Sequence, residues 1–133
     1  MTRIRERLAR EEGFTLIELL VVIVIIGILL AIAVPSYLGF KDRANQRAAS
    51  ADVRSAVPSA EAFYADHGTY TAMDLAALKG YDQGADVDDV AIKDSGATFC
   101  LHKSVGGKDS AVQRGQTAVD GGKVQEGKTC ATI

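Results

Sequence analysis

One long apolar stretch, from Gly13 to Pro35, constrains this chain more than any other feature, and it reads GFTLIELLVVIVIIGILLAIAVP. From Leu16 to Val34 there are 19 residues, of which 15 are Leu, Ile or Val and only Glu18 is charged. At ~1.5 Å rise per residue, a helix of that length spans roughly 28 Å, close to the ~30 Å hydrocarbon core of a bilayer. The stretch is therefore predicted to cross a membrane.

The acidic residue inside this stretch needs an explanation. Each Leu, Ile or Val contributes about −0.3 to −0.6 kcal/mol to membrane insertion at the helix centre, whereas one carboxyl costs on the order of +3 kcal/mol. Insertion is favoured despite Glu18, but a buried carboxylate without a partner is costly. An ionisable residue in a membrane segment is by default a candidate functional residue. The alternative is a carboxylate that reaches the membrane surface and has no further role.

The residues GFTLIELL, with the short Arg-rich leader before them and the apolar run after them, resemble the class III signal of type IV pilins and type II secretion pseudopilins. The resemblance implies that a prepilin peptidase cuts after Gly13 and methylates the new N-terminus, Phe14. It also implies that residues 1–13 are a cytoplasmic leader. Residues 14–35 would then form the transmembrane and filament-core helix.

A physical role for Glu18 follows from such a cut. The ammonium of Phe14 would lie at the edge of a low-dielectric region, four residues before the carboxylate. Opposite charges attract strongly there, and a second copy that is shifted along the filament axis can supply the partner. We hypothesise that Glu18 sets the register of subunits by pairing with the Phe14 amine of another copy.

Length and charge limit what the rest of the chain can do. The 133 residues leave room for one modest globular domain beyond the apolar stretch. Removal of the leader leaves 11 basic and 14 acidic side chains, so there is no electrostatic case for bulk nucleic-acid binding. The leader lacks a small-residue cleavage site after an apolar run, so the apolar stretch is not predicted to be an ordinary removable signal peptide.

Two cysteines, Cys100 and Cys130, lie in the C-terminal part of the chain. An even pair in a small exported domain most often forms a disulfide, and two free thiols are the alternative. Closing a loop of about 30 residues contributes roughly 4 kcal/mol to stability in the chain-entropy model. The chain has no CxxC motif, and His67 and His102 are not at ligand spacing, so no metal or cofactor site is predicted from these residues.

The helical pattern continues beyond the apolar stretch. Apolar side chains recur at steps of three and four residues along one stripe: Ala49, Val53, Ala56, Val57, Ala60, Phe63 and Tyr64. One long helix is predicted from about Thr15 to about Asp66. Its second part, residues 36–66, is amphipathic and is expected to pack on the C-terminal part.

Three helix-disfavouring residues lie inside this pattern, namely Gly27, Pro35 and Pro58. A proline removes a backbone donor and crowds the carbonyl four residues before it, so kinks are expected near both prolines. Gly27 and Pro35 match positions at which pilin helices carry Gly and Pro. The resemblance implies that the helix between them unwinds when the subunit packs into a filament, and an intact helix is the alternative.

The C-terminal part has the turn signals of a small sheet. The helix is predicted to end near His67 and Gly68. A connecting loop follows over residues 67–96, with a short helix at Thr71–Leu78. Residues 97–133 are predicted to form an antiparallel sheet from the runs ATFCLHKSV, AVQR, QTAVD and KVQEGKTCATI, with one side of the first strand facing the helix. The fold class is α+β, with a long N-terminal helix packed on a small antiparallel sheet, as in pilins.

Four aspartates in the connecting loop suggest calcium, namely Asp82, Asp86, Asp88 and Asp89. Their spacing fails the EF-hand pattern, because Val90 stands where an oxygen ligand is needed and Ala91 where the turn needs Gly. A solvated loop is the favoured interpretation.

No catalytic arrangement is recognisable in the sequence. There is no nucleophile with a neighbouring base, no Gly-rich phosphate loop after a strand and no carboxylate pair on a rigid face, so an enzyme is not predicted. The resemblance implies the structural subunit of a type IV pilus, a homopolymer that reaches the cell surface from the inner or cytoplasmic membrane. It also implies three kinds of partner: a prepilin peptidase and N-methyltransferase, an assembly platform and an ATPase motor.

Two other classes remain open at this stage. A pseudopilin or minor pilin of a type II secretion or DNA-uptake system shares every N-terminal feature. The predicted disulfide, and the lack of the Asp-Pro-Trp-Gly phrase of major pseudopilins, favour a pilin. A membrane-anchored enzyme or receptor is the third class. Twitching motility, adhesion, DNA uptake and secretion are all compatible with the sequence.

Overall fold

The computed structural model describes residues 13–118 and 120–133. Apart from Gly13, the predicted leader lies outside the described residues. The elements in chain order are α1 (Leu16–His67), α2 (Leu75–Tyr81), β1 (Asp89–Lys93), a 3-10 turn (Asp94–Gly96), β2 (Thr98–Val105), β3 (Lys108–Gly115) and β4 (Val124–Glu126). The chain divides into two compact units between Gly39 and Phe40. The predicted α+β class is confirmed.

Helix α1 is one continuous element of 52 residues, and its predicted extent is confirmed within one residue at each end. It passes through Gly27, Pro35 and Pro58 without leaving the helical conformation. It ends where Gly68 adopts the left-handed conformation with φ +71°. The Gly68 N–H donates to the Tyr64 carbonyl at 2.7 Å, which satisfies one of the carbonyls left free at a helix end.

In the first unit, no other described part of the chain buries the side chains of α1. An 18-residue window reaches a mean hydropathy of 3.3, and none of it is buried. By length and composition, this is the one helix among the described residues that is able to cross a membrane. An apolar surface of this size is covered by lipid or by other protein chains in a stable state.

In the second unit, the four strands form an antiparallel meander in the order β1-β2-β3-β4. Strands β2 and β3 are joined by Gly106 and Gly107, which both have positive φ as a tight type I′ turn requires. In the register of the sheet, Asp89 pairs with His102 and Val112 pairs with Val124. The β1 and β4 strands are therefore the two edges.

The core lies between one face of the sheet and the second part of α1. The predicted apolar stripe is buried as expected, from Ala49 and Val53 to Phe63. The largest sheet residues against it are Phe99, Leu101 and Val112, and the chain after α1 adds Tyr70, Met73 and Leu78. Phe99 is fully buried, and its ring centroid lies 4.7 Å from that of Tyr70.

The other face of the sheet carries a second, smaller cluster of Cys100, Ala111 and Cys130. Cys100 and Cys130 form a disulfide with their Cα atoms 5.7 Å apart, so the predicted disulfide is confirmed. Cys100 thus faces away from Phe99 and Leu101, as the alternation along β2 predicted. The Lys93 ammonium donates to the Ile133 carbonyl at 2.6 Å, which fixes the last residues beside β1.

The prediction of a connecting loop over residues 67–96 is wrong in part, because strand β1 lies within this range. Strand β1 has only Val90 and Ile92 as alternating apolar residues, and this pattern is too short to identify a strand by itself. Its position is determined by pairing with β2 along its whole length.

Other boundaries also differ from the prediction. The short helix begins at Leu75 and not at Thr71, because the Asp74 carboxylate accepts from the Ala77 N–H at 2.7 Å and caps the first turn. In the run QTAVD, Gln116 and Thr117 lie in a turn. In the last predicted run, the strand is limited to Val124–Glu126.

Candidate functional site

The N-terminal end of α1 is built around the Thr15 and Glu18 side chains. The Glu18 carboxylate accepts from the Thr15 backbone N–H and from the Thr15 hydroxyl, both at 2.9 Å. The Glu18 N–H donates to the Thr15 Oγ1 at 3.3 Å, and the Thr15 carbonyl accepts the first helical hydrogen bond, from Leu19. This reciprocal arrangement is a capping box.

The capping box has an electrostatic consequence. It turns the Glu18 carboxylate back toward the start of the helix, where the unpaired N–H groups and the helix dipole favour negative charge. The partner of Glu18 within its own chain was not predicted, although Thr-x-x-Glu before an apolar run is the signature of this cap. The carboxylate of the single chain is therefore hydrogen-bonded to Thr15, the residue that follows Gly13 and Phe14.

The two residues at the predicted cleavage point precede the helix. Gly13 and Phe14 are exposed and have no regular secondary structure. The Phe14 side chain is 90% exposed, and a Cβ at Gly13 would meet nothing within 4 Å. A protease must bind its substrate in an extended form, so a bond in open, non-helical chain suits cleavage. Cleavage between Gly13 and Phe14 remains a prediction.

The predicted flexible region, Gly27 to Pro35, is helical in the single chain. A Cβ at Gly27 would meet no atom within 4 Å, so steric crowding within the chain does not explain the glycine. The prediction that this region unwinds concerns the assembled filament, and it remains a prediction.

The aspartates that suggested calcium have a structural role in the second unit. The Lys103 ammonium lies 2.7 Å from the Asp86 carboxylate and 3.1 Å from that of Asp88. The Ser104 N–H donates to Asp88 at 2.7 Å, and this bond is the main cause that lowers the pKa of Asp88. Within the described residues, no group of three or more His, Cys, Asp or Glu side chains is placed to hold a metal ion.

The family described as the prokaryotic N-terminal methylation motif matches residues 8–34. A type IV narrow pilus major component of Thermus thermophilus is 62% identical over 50 residues, which are 35% of this chain and 43% of that protein. The type IV major pilin of Myxococcus xanthus is 39% identical over 62 residues, which are 47% of this chain and 28% of that protein. The N-terminal part of the chain is therefore similar to the N-terminal parts of type IV pilins.

Secretion proteins are also among the relatives that the chain resembles. The type II secretion system core protein G of Aeromonas hydrophila is 39% identical over 61 residues, which are 46% of the pilin-like chain and 43% of that protein. The chain spans about half or less of the length of the curated relatives that it matches. No solved structure matches it. The resemblance to pilins and pseudopilins that the N-terminal residues indicated is confirmed.

Proposed function

We propose that this chain is the structural subunit of a type IV pilus, made as a membrane-inserted precursor and polymerised through the first part of α1. The observation that carries the proposal is the apolar window with a mean hydropathy of 3.3, none of which the chain itself buries. Such a helix needs two successive environments, the bilayer before assembly and the helices of other copies afterwards. The second unit supplies the water-facing part of the subunit.

The proposed processing divides the chain at Gly13. A prepilin peptidase removes residues 1–13, and an N-methyltransferase activity modifies the new amine of Phe14. Residues 14–35 then serve as the transmembrane and filament-core helix, and residues 36–66 carry the rest of the chain on the amphipathic part of α1. The open backbone at Gly13 and Phe14 supports this division.

The proposed assembly step exchanges lipid for protein around the same side chains. Lipid tails are about as apolar as Leu, so no hydrophobic driving force separates the two environments. Extraction of the subunit therefore needs another source of work. An assembly platform and an ATPase motor in the cytoplasmic membrane are the partners that this step requires.

The Glu18 carboxylate determines how far each subunit is shifted along the filament relative to its neighbour. In the single chain it accepts from Thr15, and in the filament it accepts from the Phe14 ammonium of another copy. An ion pair between two full charges in a low-dielectric bundle is stronger than a hydrogen bond to a neutral amide. A misplaced copy leaves the carboxylate without this partner, and that error is costly.

The second candidate function is that of a pseudopilin or minor pilin in a type II secretion or DNA-uptake system. The observation that favours it is the identity of 39% to a type II secretion core protein G. Such a protein uses the same helix to form a filament that stays within the envelope. Location therefore separates the two candidates.

The test is to delete the gene in the producing cell, complement it, and follow the protein in sheared surface material and in the membrane fraction. The account predicts filaments in the complemented cell that are absent from the deletion and that contain this protein as the main component. Processed protein confined to the envelope would instead support the pseudopilin. Processed protein that forms no filament in either place would overturn both candidates.

A further inference from the structure

A basic groove lies along the β4 edge of the second unit. It has a volume of about 510 Å³, and its charged lining residues are Arg54, Arg114 and Lys123, with no acidic residue among them. Within the described residues, none of these three cations forms an ion pair. Three exposed cations without a carboxylate partner repel one another, so an anionic partner is favoured at this surface.

The groove is held in shape by a close contact with a glycine. Gly122 has φ +76°, and a Cβ there would lie 2.6 Å from the Arg114 Cγ. The stem of Arg114 therefore lies against the backbone of the loop before β4, and only glycine permits this approach. The side-chain direction of Arg114 is constrained before any partner binds.

An acidic corner, formed by Asp82, Asp86, Asp88 and Asp89, lies at the β1 edge. All four residues are exposed, and the Asp86 side chain is 69% exposed. Lys103 offsets one of the four charges through its ion pairs with Asp86 and Asp88. The corner therefore keeps an excess of negative charge beside a strand edge.

The two surfaces lie at opposite edges of the sheet, since β1 and β4 are its two edge strands. Three strand spacings of about 4.8 Å separate these edges, so the surfaces are roughly 14 Å apart across the sheet. They also differ in height along α1. Asp88 accepts from Ser104, which pairs with Asp109, and the Asp109 carbonyl accepts from the Gln46 side chain at 2.8 Å.

The Asp88 part of the acidic corner is thus level with Gln46, whereas the basic groove is level with Arg54, which lies eight residues further along the helix. Eight residues of helix correspond to roughly 12 Å. Two copies that are placed side by side with the same orientation, and shifted along α1 by about that distance, bring the Asp88 part of the acidic corner of one to the basic groove of the other.

We propose that the basic groove of one copy binds the acidic corner of the next copy, so that the water-facing units form a continuous ionic contact along the filament. The contact joins two different surfaces, and a contact of this kind propagates into an open helical polymer instead of closing a dimer. The proposal rests on the proposed function, and it adds a register in the second unit to the one that Glu18 provides in the first.

A second copy fits this groove better than a nucleic acid or an acidic polysaccharide. The mature chain carries 14 acidic and 11 basic side chains, so a long polyanion that covered the surface would be repelled outside the groove. The acidic corner has a limited size that matches three cations, and every copy supplies both surfaces at the same ratio.

The test uses charge reversal in the full chain expressed in the producing cell. Lys123→Glu changes the groove and Asp89→Lys changes the corner, and neither residue has a side-chain hydrogen bond or ion pair to another described residue. Each single variant is expected to lower the yield of filaments at least about fivefold, because like charges then meet at every contact. The chain with both changes is expected to return to within about twofold of the wild type. Lys128→Glu is the matched control, since it makes the same charge change at an exposed residue outside the groove.

The readouts separate this proposal from the proposed function. Intact mass and thiol alkylation report processing and the disulfide, so a variant that fails to fold is recognised. The neutral variants Lys123→Gln and Asp89→Asn form a second series. Filaments of the wild type are expected to dissociate as ionic strength rises, and the neutral variants are expected to lose part of this dependence.

Three results would overturn the ionic contact while the pilin proposal stands. The first is that the single variants polymerise like the wild type, and the second is that the double variant stays as defective as the folded single variants. The third is that filaments of the neutral variants dissociate with the same salt dependence as the wild type. Normal filaments of Lys123→Glu that lose retention on immobilised DNA or heparin would overturn it as well, and would assign the groove to a polyanion. A wild-type chain that forms no filament contradicts the proposed function itself.

Discussion

The Thr15 backbone N–H donates a hydrogen bond to the Glu18 carboxylate at 2.9 Å, and the Thr15 hydroxyl donates to the same oxygen. The acidic residue of the apolar stretch is therefore satisfied within its own chain before any second copy is present. In the proposed assembly, pairing with the Phe14 amine of another copy is then an exchange of partners. The free energy of this exchange is smaller than the free energy of pairing a bare carboxylate, which makes assembly easier to reverse.

The cap and the charge of Glu18 can be separated by substitution. Glu18→Gln keeps an acceptor at the capping-box position but removes the charge, whereas Glu18→Leu removes both. Both variants are expected to insert in the membrane normally. The yield of filaments is expected to fall at least about tenfold, because the carboxylate is removed from a buried charge pair and the ammonium is left without a partner. The measurement is filament yield in sheared material beside protein in the membrane fraction. Normal filaments from Glu18→Gln would show that the cap, and not the charge pair, explains the residue.

Two phenylalanines test where the core lies. Phe99 is fully buried, whereas Phe40 is 66% exposed. Phe99→Ala is expected to destabilise the second unit by about 3–5 kcal/mol, and Phe40→Ala by less than about 0.5 kcal/mol. Urea unfolding of the full chain in detergent, followed by circular dichroism, measures both. Equal losses of stability would contradict the packing of the sheet on α1.

Tyr70 gives the second unit a dependence on alkaline pH. Burial raises the pKa of Tyr70 from 10.0 to about 12, with the Glu61 carboxylate as the next cause. The Tyr70 hydroxyl also donates to Glu61 at 3.2 Å. Between about pH 10 and pH 12 the unfolded chain loses this proton and the folded chain keeps it, so stability falls as pH rises through that range. The midpoint temperature of thermal unfolding is expected to fall less steeply with pH in Tyr70→Phe than in the wild type. The same slope in both proteins would disprove the linkage.

The helix between Gly27 and Pro35 is expected to differ between the single chain and the filament. The single chain is helical throughout this region. If the region unwinds on assembly, its amide hydrogens exchange faster in filaments than in detergent-solubilised subunits, although the filament is the more ordered state. Gly27→Ala, which favours the helix by about 1 kcal/mol, is expected to reduce the difference. Slow exchange across the whole region in filaments would show that the helix stays intact.

Features with strong local signals were predictable from the sequence. The apolar run and the three- and four-residue steps of the stripe specify α1, and Gly68 marks its end. The Cys pair and the alternation around Cys100 gave the disulfide and the inner face of β2. Each of these depends on residues that are close in sequence or on a single chemical pairing.

Features that depend on tertiary contacts were not predictable. Strand β1 has little pattern of its own and exists because β2 offers its edge. The ion pairs of Lys103 with Asp86 and Asp88 join residues about 16 positions apart, so the aspartates resembled a metal loop. The basic groove gathers residues from α1, β3 and the loop before β4. The capping box of Thr15 and Glu18 is different, because its signature, Thr-x-x-Glu before an apolar run, is local and makes the cap predictable from the sequence.

The most direct test of the account is the intact mass, with N-terminal peptide mapping, of this protein in sheared surface filaments. The account predicts a chain that begins at methylated Phe14, lacks residues 1–13, and is lighter by two hydrogens because Cys100 and Cys130 are joined. A filament subunit that keeps residues 1–13, or a functional product that never leaves the membrane in that uncut form, would contradict the central claim that cleavage after Gly13 prepares α1 for polymerisation.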